Sequence, residues 1–548
     1  MKNKVYKIFS KEDVFAGISV AAIALPAQMA TANLAGFPVI YGLYVFVAST
    51  LGFFLLGNNR YLSGGADSTI APIFATGLTV FAVPYSVHYM ELASLLSLLV
   101  GAILMIVYLF KLGWLSNLLS YPVTVGFLAG ISIHIIIGQL STVLNIPVNA
   151  HSPIVLLYRL FSHILELNII SSLIGFGVFL FVFFATKIYK KMPSALIALL
   201  FCILIEVYLN KFNINIETLS DPKESELTFN LLSLPFHDIL HLIPLALLIS
   251  MVCIIQTSAV SNTVKDRNEI PDFNKDFAGI GLGCIFSGVI GGFPCNASPG
   301  RSNIIQRTGA RSKWSALFSG IAIFIVIIFA DEFFGLIPKA ALSGVLIYVG
   351  LSIFNFSEIK RFYIQNKNEY YLCLSTIFMI TILPIDAGVI LSILVSLIHS
   401  FFIITRPNCE ELLFNDKYQI WGHHSLITHN DGFYIKDDIA VIHLSSPLYF
   451  TTYPFFEEYI NNIVKNRASL RLIIIDSSSI SDIDITAIDK ILILNRNLSH
   501  RNIKLLFSNI EHERFIIVLN SSKLLDKINQ KGEYDSINDA VEEFEQNI

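Results

Sequence analysis

The sequence predicts a polytopic α-helical membrane part followed by a small soluble α/β domain, on three observations. Of 548 residues, 54% are hydrophobic and only 14% charged, with mean hydropathy +0.65; soluble chains average roughly 25% charged residues. Apolar runs such as Leu92–Phe110, Ile169–Thr186, Ile243–Ile255 and Ser315–Ala330 recur from residue 14 to about 405. Several reach the roughly 17–25 residues that a helix needs to cross a bilayer. Past Arg406-Pro407 the chain turns abruptly to Asp, Glu, Asn, Lys and Ser. An ordinary cytosolic enzyme is excluded. So is a nucleic-acid binder, since the net charge is -4 and no Lys/Arg block dominates. Six scattered cysteines with no CxxC pair imply neither a zinc site nor a disulfide framework. Continuous rather than alternating runs exclude an outer-membrane barrel.

Taken in order, Lys2, Lys4, Lys7 and Lys11 precede a long Gly/Ala-rich span without a convincing cleavage site, so the start is a first span and not a signal peptide. Fourteen spans then alternate. One side collects about nineteen positive residues, among them Arg60, Lys111, Lys187, Lys190, Lys191, Arg267, Arg311 and Arg361; the other keeps about four, Arg159, Lys211, Lys223 and Lys339. The positive-inside rule puts both termini in the cytoplasm of an inner-membrane protein. The expected domains are residues 1–408 in the membrane, 409–432 as a linker and 433–548 as the soluble domain. In the last, Ala440–Leu444, Leu472–Ile475 and Ile503–Phe507 read as strands, and Phe455–Lys465 and Ile485–Asn495 as helices between them. No nucleotide-binding Gly motif occurs there.

Two breaks carry the chemistry: Leu62-Ser63-Gly64-Gly65-Ala66-Asp67-Ser68-Thr69-Ile70-Ala71-Pro72 and Gly291 through Ser302. Both place Gly and small polar residues where an apolar span should run, in the third and tenth spans, hence third in each seven-span half. Irregular backbone at membrane depth is tolerated only when buried in protein or lining a cavity. Paired interruptions in two halves point to a transporter's site. The plain alternative for each break is a packing kink. A half-helix beginning after each break aims unpaired N–H groups and a partial positive charge at the midplane, where they suit a small anion. Arg301 belongs to neither loop set. An arginine at the bilayer centre costs about 2.5–3.5 kcal/mol on insertion scales, so it faces a partner or an aqueous path.

At these residues the chain resembles the SulP sulfate-permease family. Ala16–Val20 through Leu25-Pro26-Ala27-Gln28-Met29-Ala30, then Leu34–Pro38 and Tyr41–Tyr44, match its opening signature; Asp276–Gly283, Gly291–Pro294 and Gly300-Arg301-Ser302 match its ninth-to-tenth-span run. The resemblance implies two inverted seven-span repeats, a core of spans 1–4 and 8–11, a gate of the rest, a homodimer and elevator-like anion transport. It implies anion contacts from Gln28, Ala66, Ser68, Thr69, Gly300, Arg301 and Ser302. Three positions depart from the pattern: Gly300 stands where the family has serine, Gln256 where proton-coupled members carry glutamate, and Asp67 where many members are neutral. Asp67 and Gln256 are therefore candidates for coupling to H+ or Na+; the plain alternative for Asp67 is a helix cap.

The soluble tail, with Asp476-Ser477-Ser478-Ser479 and Asp482 through Ala487, resembles STAS domains. The related anti-sigma-factor antagonists are phosphorylated at the position of Thr486, which makes Thr486 a regulatory candidate. Expected partners are the anion, a co-transported H+ or Na+, membrane lipid, a second copy of the chain and a cytoplasmic partner of the STAS domain, with no cofactor and no metal. Secondary active transport is the function these residues favour. An anion channel or exchanger is the alternative, and a sensor with vestigial transport fits the half-helix breaks and Arg301 least.

Overall fold

The structure, a computed structural model, describes residues 10–117, 120–148, 153–189, 192–212, 216–219, 236–265, 271–329, 334–423, 432–528, 530 and 534–546. Lys2, Lys4, Lys7, Lys190, Lys191, Lys223 and Arg267, used above for orientation, lie outside the described residues. The chain divides into two compact units, Met1–Leu397 and Ile398–Ile548.

The first unit runs α1 (Lys11–Leu34), α2 (Val39–Leu56), a two-residue strand β1 (Gly64–Gly65), the short α3 (Ala71–Leu78), α4 (Val87–Leu109), α5 (Tyr121–Leu144), α6 (Ile169–Ile188) and α7 (Ser194–Asn210). The plan then repeats: α8 (Phe236–Thr263), α9 (Phe273–Val289), β2 (Asn296–Ala297), the short α10 (Pro299–Arg307), α11 (Trp314–Phe329), α12 (Lys339–Ile353), α13 (Lys367–Ile382) and α14 (Ile385–Thr405). Eight described segments are long and apolar enough to cross a membrane, one of them, Lys339–Gln365, joining α12 to the short helix that follows it. The rest of the expected fourteen are α7, α9, α11 and α13, of 16 or 17 residues, and the two short helices. Apolar side chains such as Phe176, Leu180 and Phe184 on α6 and Phe324 and Ile328 on α11 point outward, as bilayer-facing surfaces must.

Two helix groups form. Within the first, α9 packs on α2 and α4, α11 on α1 and α2, and α8 on α4; the second joins α5 to α12 and α13, and α6 to α7 and α12. α1 meets the second group through α7 and α12. Close approach within the first group depends on glycine. A Cβ on Gly52 would fall on the backbone of Leu282 and Gly283, so α2 and α9 cross almost backbone to backbone.

Two buried carboxylates pin the ends of this group. Asp13 accepts from Arg311 N (2.7 Å), Ser312 N (3.0 Å) and Ser312 Oγ (2.9 Å), which ties the start of α1 to the turn before α11. Asp276 accepts from Asn58 N and Asn59 N (both 2.9 Å) and from Ser261 Oγ (2.7 Å), which ties α9 to the end of α2 and to α8. Asp276 has these three donors and Asp13 two more from Ser10, as burial of a charge requires.

In the second unit a four-stranded sheet has the order β3 (Cys409–Glu411), β7 (Ile439–Leu444), β8 (Leu472–Asp476), β9 (Lys504–Ser508). β7, β8 and β9 are parallel, and β3 joins antiparallel. The predicted strands and helices fall where expected, with α15 (Tyr453–Asn466) and α16 (Ile485–Ser499) between strands. Helices α17 (Glu513–Ser522) and α18 (Ile537–Gln546) follow. β7 and β8 are buried throughout because both faces are covered, one by α15 and α16, the other by Ala540 and Val541 of α18. That is why they read as unbroken apolar runs.

The expected linker 409–432 is corrected. Its first residues form β3, and β4 (Leu413–Asn415), β5 (Ile420–Gly422) and β6 (Phe433–Tyr434) make a separate three-stranded antiparallel sheet. These strands are only two or three residues long, so their pairing leaves no periodic signal in the sequence.

Candidate functional site

The two breaks meet. β1 and β2 pair antiparallel with Gly64 opposite Ala297 and Gly65 opposite Asn296. Ser298 N donates to Ser63 O (2.9 Å), and Ser63 N to the hydroxyl of Ser302 (3.0 Å). Each strand is followed by a short helix, α3 after the turn 66–70 and α10 after Ser298.

At α10 the helix start is open. Ser298 is the N-cap without a side-chain hydrogen bond, and Pro299 opens the helix. Gly300 is exposed, and a Cβ there would meet nothing within 4 Å. The first N–H groups of a helix have no partner inside it. Arg301 follows at 7% exposure, its Nε 3.4 Å from Ser63 Oγ and its guanidinium carbon 5.6 Å from the centroid of Phe46. Its Nη2 is buried without a hydrogen-bond partner. A buried donor on a cation with nothing to bond is costly to leave unmade.

At α3 the N-cap is Ile70, likewise without a side-chain cap, and the Asp67 carboxylate instead closes the turn before the helix, Oδ1 accepting from Thr69 N (2.8 Å). The same carboxylate also does more: Asp67 Oδ2 accepts from Gln256 Nε2, whose other hydrogen goes to Ala297 O (2.8 Å). Thr69 Oγ1 stands 2.9 Å from Asp67 Oδ1 and 2.7 Å from Gln256 Oε1. Arg301 and Asp67 interact electrostatically without touching.

The expected anion ligands therefore divide. Gln28 accepts from Ala66 N (2.7 Å) and donates to Ala66 O (2.9 Å), so the two hold β1 in place and Ala66 N has no hydrogen left to offer. Ser302 is fully buried and turned toward Ser63. Gly300 is exposed, and Arg301 beside it is buried with Nη2 unpartnered. Ser68 is buried; Thr69 belongs to the ring with Asp67 and Gln256. Gly65 is the pivot, since a Cβ there would lie 2.7 Å from Gln28 Oε1, 2.8 Å from Phe46 and 3.0 Å from Arg301 Nη2. Sequence reasoning missed Ser63, Gly65 and Phe46 as determinants; the Gly-Gly pair was the available signal.

Among the described residues no group of three or more His, Cys, Asp and Glu is placed to hold a metal ion. In the second unit Thr486 is exposed in the first turn of α16, beside the N-cap Asp484, whose Oδ1 accepts from Ala487 N (2.7 Å). At the ends of its strands lies a row that sequence reading did not single out. Glu410, His443, Asp476 and Ser508 are successive cross-strand partners. His443 Nδ1 is 2.6 Å from Asp476 Oδ2, and the His423 ring stands edge-on to His443 at 4.8 Å. The hydrogen bond to Asp476 holds His443 above its ordinary value. Burial pushes Asp476 up, but hydrogen bonds from His443 and Asn509 outweigh it and hold the carboxyl below the usual range.

Two family models match this chain: sulfate permease family over residues 11–376 and STAS domain over residues 433–543. A protein described as a probable sulfate transporter of Mycobacterium tuberculosis is 25% identical over 534 residues, covering 97% of this chain and 95% of its own. Sulfate transporter 3.2 of Arabidopsis thaliana is 23% identical over 563 residues, covering 97% and 86%. Among solved structures, murine Slc26a9, an anion transporter in the inward-facing state, superposes with TM-score 0.84 at 16% identity over 98% of this chain and 91% of that one. The transmembrane domain of a cyanobacterial bicarbonate transporter, BicA, gives 0.61 at 22% identity over 71% and 96%. The fold, the facing half-helices and the extent of the family match agree, and the chain belongs to the sulfate permease family, with a STAS domain at residues 433–543.

Proposed function

We propose that this protein is a secondary active transporter of a small inorganic or carboxylic anion, of the sulfate, bicarbonate or dicarboxylate class. Arg301 carries the reading: a buried cation with an unpartnered Nη2 beside an uncapped helix start and the open face of Gly300. In a low-dielectric site, a guanidinium and backbone N–H groups bind an anion more strongly than they do in water. The group formed by α1–α4 and α8–α11 is the moving core, and the group containing α5–α7 and α12–α14 is the gate. Alternating access is an elevator-like displacement of the first against the second, along the α1 contacts with α7 and α12.

The proposal extends to symport with H+ or Na+ through Asp67, to a homodimer, to both termini in the cytoplasm, and to Thr486 or a partner of the STAS domain as the regulatory input. Gln256, which takes up no proton, favours a second reading as a channel or exchanger. Uptake of labelled sulfate, bicarbonate, oxalate and chloride into proteoliposomes, with and without proton and sodium gradients, separates the two. Accumulation above equilibrium driven by a cation gradient supports the transporter. Conduction independent of any gradient supports the channel, and no flux of any anion rejects both.

A further inference from the structure

The hydrogens of the Asp67–Thr69–Gln256 ring can be counted. The Ala297 carbonyl only accepts, so the group facing it at 2.8 Å is Gln256 Nε2, and its second hydrogen serves Asp67 Oδ2. Gln256 Oε1 is then turned to Thr69 Oγ1 at 2.7 Å, and that hydroxyl also lies 2.9 Å from Asp67 Oδ1. A threonine hydroxyl owns one hydrogen. Both contacts are at hydrogen-bond length, yet with Asp67 ionised one of them sets lone pair against lone pair. A proton on Asp67 Oδ1 completes the ring: Asp67 donates to Thr69 Oγ1, Thr69 donates to Gln256 Oε1, and Gln256 donates to Asp67 Oδ2.

We infer that Asp67, Thr69 and Gln256 form a binding site for one proton, held between Asp67 Oδ1 and Thr69 Oγ1. This deepens the transport reading and rests on it only for the link to the anion. The ring oxygens are spaced for hydrogen bonds and would have to spread to surround a sodium ion as shared ligands. Charged and titratable neighbours that face Asp67 electrostatically are Arg301 from α10 and the thiol of Cys253 from α8. While Asp67 is ionised its charge opposes that of Arg301 across the site. The proton removes that charge and leaves Arg301 and the α10 start to the anion, so proton and anion each raise the other's affinity by the same factor, about 5–150-fold for typical coupling.

The test uses purified full-length protein in weakly buffered detergent solution, with sulfate and chloride as probes. Proton uptake is followed with an indicator dye and anion binding with a radiolabel. About one proton taken up per anion, with affinity falling as pH rises and unchanged when sodium is replaced by N-methylglucamine, is the expected result. Asp67→Asn should abolish proton uptake and the pH dependence together, and Thr69→Val should move the dependence to lower pH. Anion binding by the native protein without proton uptake overturns the inference, as does undiminished proton uptake by Asp67→Asn or a requirement for sodium. If neither anion binds, the transport reading is what fails. pH-difference infrared spectroscopy still decides the proton site, through a protonated-carboxyl band present in the native protein and absent from Asp67→Asn; no such band overturns it.

Discussion

The two half-helices occupy matching places in the two repeats and have opposite chemistry. Before α3 a carboxylate, Asp67, closes the turn onto Thr69 N and is held by Thr69 and Gln256, without capping the helix itself. α10 begins uncapped, with Gly300 facing open space and Arg301 keeping an unpaired donor. An inverted repeat brings two positive helix ends to one place, which suits a single anion. The side chains at the two ends differ, an unpaired guanidinium donor at one and a hydrogen-bonded carboxylate at the other. The lesson is that the backbone symmetry brings the two ends together and the side chains there break it.

The largest expected effect breaks the α10 end. Arg301→Ala should weaken anion affinity by about 10–100-fold, since a charge-assisted hydrogen bond contributes about 1.5–3 kcal/mol. Arg301→Lys should recover part of this, keeping the charge and losing the fork. Equilibrium binding with a thermal melt checks it; unchanged affinity with a collapsed melt would make Arg301 a structural ion.

Next comes the pivot between the two ends. Gly65→Ala inserts a Cβ against Gln28, Phe46 and Arg301, and overpacking of this kind costs about 1–3 kcal/mol. Both the melting temperature and the anion affinity should fall. A variant with native affinity would show that the position of Arg301 is not set by β1.

A smaller effect is expected outside the membrane, where a carboxylate meets a titratable partner instead of a fixed amide. His443 is held above its ordinary value, so its contribution to stability is full below about pH 6.5 and is lost as pH rises through the raised value. Asp476 is held below its ordinary value, so its contribution is present above about pH 4 and is lost as pH falls through the lowered value. Hydrogen exchange of β7 and β8 in the full chain should therefore quicken from pH 6 toward pH 8 after correction for intrinsic rates, and His443→Gln should flatten the trend. A native trend in His443→Gln would remove His443 as its cause.

The smallest effect is at Gly300. With nothing within 4 Å of a Cβ, Gly300→Ser should change stability by no more than about 0.5 kcal/mol and tighten anion binding slightly through one added hydroxyl donor. A large loss of binding would show that the open space at Gly300 is filled by the anion itself.

How far the site could be read in advance depends on the residue. Arg301 was legible because a charge inside an apolar run has few explanations, and the two breaks because Gly, Ser and Pro interrupt spans that are otherwise continuous. Gln28 was legible as part of the site but not in its task, because whether an amide binds substrate or backbone depends on which backbone comes within 3 Å. Asp67 read equally as cap and as coupling group, and which backbone and side-chain groups meet it, Thr69 N in the turn before α3 and the side chains of Thr69 and Gln256, could not be read from spacing. In the tail, β7 and β8 were legible from their apolar runs, whereas β3 and the row from Glu410 to Ser508 depend on cross-strand register between segments more than thirty residues apart.

By itself the sequence determined the membrane class, the repeat of a broken third span in each half and the soluble α/β tail. Each follows from the local cost of placing polar backbone or charge in hydrocarbon, or of leaving an apolar run in water. The tertiary structure alone decided that β1 pairs with β2, that Gln28 bonds the backbone of Ala66 and Gln256 that of Ala297, that Asp67, Thr69 and Gln256 meet, and that Arg301 keeps a donor free. Those outcomes turn on distances of about 3 Å between residues up to some 240 positions apart, and a hydrogen bond is decided by that distance whatever the separation along the chain.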